Sequence, residues 1–266
     1  MTSHNSIRYS IAVVSGKGGV GKSTVAVNLA VALAQSGART GLLDADIYGP
    51  SIPIMTGVQQ MPQSRAGKIL PLEAHGLRLM SLGFLMPEGA PTVWRGPMVA
   101  GAIQQFLRDV DWGALDYLVI DLPPGTGDAQ LTLAQSLPLT GVIVVLTPQD
   151  VATQIASKAL AMFQQLKVPI LGILENMSGF VCPHCGTTAP IFKEGGGRRA
   201  SQELGVTLLG EIPLDPLVCQ TSDRGEPIVT AHPKSPMAEA FRHAAEAIVA
   251  KVQAGVGAGP MIRMGP

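Results

Sequence analysis

Apolar runs rich in β-branched residues recur along the chain at Ile11–Val14, Thr40–Leu43, Leu77–Leu79, Tyr117–Ile120, Gly141–Leu146 and Ile170–Leu174, with a shorter one at Thr207–Leu209. Short runs that are apolar at every position are what strands buried on both faces require. Between them the hydrophobic period lengthens to that of a helix. From Asp150 to Leu166, Val151, Ile155, Ala159, Met162, Phe163 and Leu166 follow the i, i+4, i+7 spacing that lays one stripe on a sheet. A second helix is predicted to start at Ser235-Pro236, with the serine as N-cap and the proline in the first turn. Its stripe is Met237, Phe241, Ala244, Ala245, Ile248 and Val252. Alternating strands and helices predict an α/β fold, a doubly wound, mostly parallel sheet with helices on both faces.

Residues 47–75 and 82–98 carry many Pro and Gly and are expected to form long functional loops above the sheet, not a separate domain. One domain is expected over residues 1–253. Residues 254–266 are patternless and rich in Gly and Pro, which predicts a flexible C-terminal tail.

Composition narrows the class further. With 266 residues, 46% hydrophobic and 14% charged, the chain can bury a sizeable core. Nineteen basic and 19 acidic residues cancel, so no global field recruits nucleic acid or an anionic membrane, and neither partner is expected. No apolar stretch reaches the roughly 20 residues that span a bilayer, and the N-terminus MTSHNSIRYS lacks a secretory core, so a cytoplasmic location is expected. Three cysteines, two of them in one C-x-x-C, fit a reducing compartment and a metal or redox site better than a disulfide framework.

The candidate chemistry starts at Gly16–Thr24, GKGGVGKST, between the apolar runs Ile11–Val14 and Val25–Ala34. In a strand–turn–helix setting G-x-x-x-x-G-K-[ST] is a phosphate cradle. Gly16, Gly18, Gly19 and Gly21, with Val20 between them, let the backbone N–H groups turn inward toward the positive end of the next helix. Lys22 is placed for the β- and γ-phosphates of ATP, the Ser23 hydroxyl for Mg²⁺, and Thr24 for the α-phosphate. Two further segments bring carboxylates to strand ends. Leu42-Leu43-Asp44-Ala45-Asp46 delivers a pair, and Val119-Ile120-Asp121-Leu122-Pro123-Pro124-Gly125-Thr126-Gly127-Asp128 delivers Asp121 as a Mg²⁺-side carboxylate before a stiff turn. Asp44 reads as a Mg²⁺-side or supporting partner. Asp46 reads as catalytic or as a turn former, and Asp128 as a helix cap or a catalytic group. Gly125 can offer its N–H to the γ-phosphate and act as a hinge.

Lys17 makes the loop K-G-G-x-G-K-[ST], which resembles the deviant Walker A form of the MinD, ParA, ArsA and nitrogenase iron-protein P-loop NTPases. That resemblance implies a homodimer closing around ATP, with Lys17 crossing to the partner's nucleotide; a solvated loop cation is the plainer alternative. It also implies that Asp46 positions the attacking water, that Asn176 reads adenine, and that the loop holding Pro213 forms the other wall of the base site.

Cys182-Pro183-His184-Cys185-Gly186 follows the Asn176 strand closely, within a loop spanning about 178–197. A C-x-x-C knuckle turns both sulfurs to one side, but two thiolates do not complete a tetrahedral site, and a second chain can supply the others. Zinc suits four such sulfurs as well as cluster iron does. A thiol–disulfide role has no thioredoxin-like surroundings here, and Cys219 reads as a small apolar filler. Glu175–Gly186, Val93–Met98, the DLPPGTGD turn and Ile191-Phe192 with Gly195–Gly197 are similar to the Mrp/ApbC family of iron–sulfur carrier ATPases. The resemblance implies a 4Fe-4S cluster bridged by Cys182 and Cys185 of each protomer and delivered to apo iron–sulfur proteins. A MinD- or ParA-like positioning ATPase with a structural zinc is the alternative. Arg95 reads either as a phosphate or switch partner or as an ordinary surface ion pair.

Overall fold

A computed structural model of the chain describes residues 5–46, 49–85, 96–182, 184–255 and 262–263. The Val93–Arg95 part of the resemblance and Pro183 lie outside the described residues. The first strand β1 (Ser6–Val14) is followed by α1 (Lys22–Gln35), β2 (Thr40–Asp44) and the single turn α2 (Ile52–Met55). Then come β3 (Ser64–Arg65), β4 (Lys68–Ile69), β5 (Leu72–Ala74), β6 (Leu77–Ser81), a 3₁₀ turn at Leu82–Leu85 and α3 (Gly96–Asp109). The next strands and helices are β7 (Ala114–Asp121), α4 (Asp128–Ser136), β8 (Gly141–Leu146), α5 (Asp150–Gln165) and β9 (Ile170–Val181). The chain continues through β10 (Thr188–Ala189), α6 (Gly196–Leu204), β11 (Leu208–Leu214), α7 (Pro216–Asp223), α8 (Ile228–Ala231), α9 (Pro236–Gln253) and β12 (Ile262–Arg263).

The main sheet has the order β9-β8-β1-β7-β2-β6, all parallel, with β11 parallel on the free side of β9. Antiparallel β5, β10 and β12 finish its margins. Successive side chains of β1 point to opposite faces, and two separate cores result. Ala12 and Val14 pack with α3, α4 and α5 residues such as Ile103, Leu133 and Phe163. Ile11 and Val13 pack with α1 and α9 residues such as Leu29 and Phe241. This is the doubly wound parallel sheet that the alternating pattern predicts.

The α9 boundary follows its sequence signal: Ser235 Oγ accepts from the Ala238 N–H at 3.1 Å, and Met237, Phe241, Ala244, Ala245, Ile248 and Val252 are the buried stripe. Other expectations need correction. The segment 47–75 is not all loop, because it holds α2 and the strands β3, β4 and β5, whose two to four residues are too short to show a period. Strand β9 does not stop near Leu174 but runs to Val181, its apolar run being interrupted by the buried polar residues Glu175 and Asn176. Within the expected tail, Ile262 and Arg263 pair with Ile7 and Ser6. That edge is free because β8 begins alongside Ile11. The remaining tail residues beyond Gly255 lie outside the described residues.

Candidate functional site

Parallel strands β1, β2, β7 and β9 end on one edge, and the candidate residues collect there. The turn Ser15–Gly21 carries β1 into α1, with Gly19 and Gly21 both at φ +78°, a left-handed backbone that glycine adopts without strain. Gly21 admits no side chain, because a Cβ there would run into the Asn176 amide. Helix α1 starts with no capping side chain and no acidic residue in its first turn, so its orphan N–H groups face an open cavity of about 200 Å³. Lys17, Gly18, Gly19, Lys22, Ser23, Thr24 and Asp46 line that cavity. Such an uncapped N-terminus is suited to an anion.

Beneath it lies a buried charge cluster. Lys22 Nζ sits 2.5 Å from Asp121 Oδ1, 3.4 Å from Asp46 Oδ2 and 3.3 Å from Ser23 Oγ. Strand register places Asp44 directly beside Asp121. One Asp44 oxygen accepts from Ser81 Oγ at 2.9 Å and the other from the Asp46 N–H at 3.1 Å. Burial, then the neighbouring Asp121 charge, pushes the Asp44 carboxyl up to about 8. Burial also raises Asp121, against the opposing pull of Lys22. Asp46 Oδ1 and Asp121 Oδ2 are buried without a hydrogen-bond partner. Asp46 and Asp121, each with one orphaned oxygen, together with the Ser23 hydroxyl form an oxygen donor set that fits a hard divalent cation such as Mg²⁺.

The other loop residues take definite places. Lys17 Nζ donates to Gln149 Oε1 at 3.1 Å within its own chain, a partner that sequence motifs do not reveal because it comes from the loop after β8. The Gly125 N–H is committed to the Ser15 carbonyl at 2.9 Å, so reaching a γ-phosphate requires the turn to move; its φ of +101° marks a position that favours glycine. Gly16 packs against α5, where a Cβ would strike the Ile155 side chain.

A second cavity of about 220 Å³ adjoins the first and shares Gly21, Thr24 and Met55 with it. Asn176 and Pro213 both line it, with Met177, Val218 and Phe241. The Asn176 amide donates to the Val20 carbonyl at 2.8 Å, tying β9 to the phosphate loop. Cys219 also lines this cavity and is exposed, with its Sγ 3.7 Å from Asp223 Oδ2, so it is not a core filler. Larger hollows of about 390 Å³ beside Arg39 and of about 520 Å³ between α1 and α9 contain none of these groups, so size does not choose the site.

The cysteine pair is the turn of a hairpin. Val181 of β9 pairs with Thr188 of β10, the Cys182 N–H donates to the Thr187 carbonyl at 3.0 Å, and the Gly186 N–H donates to the Cys182 carbonyl at 2.9 Å. Cys182 is partly exposed and Cys185 exposed. The Thr187 side chain first, then its backbone and the Cys182 thiol, hold the Cys185 thiol below its ordinary value. Among the described residues no group of three or more His, Cys, Asp or Glu side chains is arranged to hold a metal ion. Val181, Ile191 and Phe192 expose apolar surface on the same segment. Behind the hairpin, buried Glu175 accepts from the Gly197 N–H at the start of α6, and burial raises its carboxyl. No helix among the described residues is long and apolar enough to cross a membrane.

The family model ParA, described as NUBPL iron-transfer P-loop NTPase, matches residues 6–249. The chain is 51% identical over 241 residues to the Arabidopsis thaliana iron-sulfur protein required for NADH dehydrogenase, mitochondrial, covering 90% of this chain and 77% of that protein. It is 49% identical over 253 residues to the iron-sulfur cluster carrier protein of Aquifex aeolicus, covering 94% and 70%. Among solved structures, the nucleotide-binding protein of Archaeoglobus fulgidus in complex with ADP superposes with a TM-score of 0.77 at 40% identity, covering 88% of this chain and 92% of that one.

Proposed function

We propose a function from one premise: the chain belongs to the NUBPL iron-transfer P-loop NTPase family. It is an ATPase that carries an iron–sulfur cluster. The observation that carries this reading is the single strand β9, which lines the base cavity with Asn176 and ends at the thiols Cys182 and Cys185. Relatives at about half identity are named iron-sulfur cluster carrier proteins.

In this reading Gly16–Thr24 wrap the phosphates of ATP, Lys22 neutralises charge on the β- and γ-phosphates, and Asn176 and Pro213 hold the adenine. Mg²⁺ is held by Ser23 and Asp121 and supplies charge neutralisation at the transferring phosphate. Asp46 orients the attacking water. Asp44 holds the Asp46 backbone through the hydrogen bond to its N–H. Lys17 reaches the nucleotide of a second copy when two protomers close, exchanging its Gln149 contact for phosphate. The cargo is a 4Fe-4S cluster shared by Cys182 and Cys185 of two copies and passed to apo iron–sulfur proteins in the cytoplasm. A donor set of two exposed thiols per chain, rimmed by Val181, Ile191 and Phe192, supports a site completed by another protein surface. The fold acts as one domain.

Anaerobic reconstitution tests this. The expected result is one four-iron cluster per two chains, lost in Cys182→Ala and Cys185→Ala while nucleotide binding persists, and transfer to an apo-acceptor that responds to Mg-ATP. Full iron and sulfide retention in the double variant would place the site elsewhere. Tight zinc that iron and sulfide cannot replace would favour a structural knuckle.

A further inference from the structure

Between Asn176 and Cys182 the strand does something that a plain connector does not. Met177 has φ +60°, in the left-handed region that a residue with a side chain enters only under strain. The strain sits on a break in register. From the Ile212–Asn176 pair to the Leu214–Phe180 pair, β11 advances two residues while β9 advances four, so Met177 opens a bulge in β9. Immediately beyond the bulge, Phe180 and Val181 pair with β10, and the hairpin they root carries both thiols.

Met177 lines the cavity with Asn176 and Pro213, and its Cε lies 3.7 Å from where a Cβ on Gly21 would stand, so its thioether covers the end of the phosphate loop. A long, unbranched, polarizable side chain fills such a gap without fixing one rotamer. One residue therefore touches the nucleotide cavity with its side chain and bends the cysteine hairpin with its backbone.

We propose that Met177 is the positioning residue through which a purine nucleotide in the base cavity sets the geometry of the Cys182–Cys185 hairpin. A base seated beside Asn176 competes with the thioether for the space next to Gly21. Displacing it lets the backbone leave the left-handed region and changes how the surplus residues of the bulge are taken up, which moves the root of the hairpin. This rests on the reading of that cavity as a nucleotide site, but not on the presence of iron.

The test uses the full chain without iron and follows alkylation of Cys182 and Cys185 by iodoacetamide, resolved by mass spectrometry, with and without saturating Mg²⁺ and a non-hydrolysable ATP analogue. Occupancy is verified in the same samples by fluorescent-nucleotide displacement. The expected result is a nucleotide-dependent change of about fivefold or more in the native chain, the lower end of ordinary coupling between sites. Met177→Gly, which tolerates the left-handed backbone and has no thioether, is expected to lose that response at full occupancy; Met177→Leu, which keeps the strain and most of the bulk, is expected to retain it. Met177→Asn serves in place of the glycine variant if that chain does not fold, since asparagine also accepts this conformation. An unchanged response in the glycine or asparagine variant, or none in the native chain at verified occupancy, overturns the proposal. Because no cluster is involved, a failed reconstitution would overturn the carrier reading and leave this result standing.

Discussion

Lys22 Nζ lies 2.5 Å from Asp121 Oδ1 at a depth where the two side chains are 6% and 0% exposed. The ammonium thus compensates a carboxylate that burial alone would neutralise. The relationship ties the phosphate loop at the end of β1 to the end of β7. It makes the packing of these two strand ends depend on one charge.

Removing that charge leaves Asp121 buried and uncompensated. Lys22→Ala is expected to lower the unfolding free energy by about 3 kcal/mol, as broken buried ion pairs do, and to abolish nucleotide binding. Urea unfolding of Lys22→Ala, Asp121→Asn and the double variant checks the first part: the double variant should recover part of the stability. Additive losses would show that the two groups are not coupled.

Asp44 predicts a pH dependence. Its carboxyl is pushed up to about 8 in the folded chain, from an ordinary value of 3.8. A raised carboxyl contributes stability that is fully present below the unfolded value and is lost as pH rises through the folded one. The nucleotide-free native chain should therefore lose stability relative to Asp44→Asn between pH 4 and 8, by at most about 1.4 kcal/mol per pH unit, and the difference should level off above that range. Denaturant unfolding of both chains at successive pH values reads this directly. Parallel curves would contradict the protonated Asp44.

Close approach at α6 gives a third expectation. A Cβ on Gly197 would stand 2.9 Å from Glu175 Cβ and 3.0 Å from its Oε2, against a buried side chain with no room to retreat. Gly197→Ala should cost about 1 to 3 kcal/mol, as overpacking does, with the loss visible as a lower thermal midpoint. Glu175→Ala should also destabilise, by about 1 kcal/mol, because it strips the acceptor from the first turn of α6. An unchanged midpoint in Gly197→Ala would mean that β9 and α6 can part freely.

Lys17 is expected to separate binding from turnover. Its amine rests on Gln149 of its own chain. Lys17→Ala is expected to bind nucleotide in titration yet hydrolyse ATP about a hundredfold more slowly, the usual cost of removing one transition-state donor. Turnover of the native chain should rise with protein concentration, whereas the variant should stay slow at every concentration. Equal rates in the two chains would exclude a role for this lysine in hydrolysis.

Local pattern was enough for much of this. The strand Gly141–Leu146 and the helix from Asp150 are where their hydrophobic periods put them, and GKGGVGKST sits at the strand-to-helix turn that its glycines require. Where polar residues serve buried positions the pattern failed. Glu175 and Asn176 made β9 look finished at Leu174, and the two- and three-residue strands between Pro50 and Leu77 were too short to leave a period. Cys219 could not be placed from its neighbours, because its exposure depends on how α7 borders a cavity built from β9 and β11.

By itself the amino-acid order determined where the longer apolar strands and amphipathic helices lie, that a phosphate cradle exists, and that two thiols share a knuckle, since all of these depend on residues adjacent in the chain. The convergence of Lys22, Asp46 and Asp121, the Asp44 carboxyl raised by burial beside Asp121, the Lys17–Gln149 contact and the strained Met177 between the Asn176 cavity and the cysteine hairpin were decided only by the tertiary structure. These are properties of distance and dielectric between segments far apart in sequence. Packing parallel strands edge to edge sets them, and no local pattern encodes them.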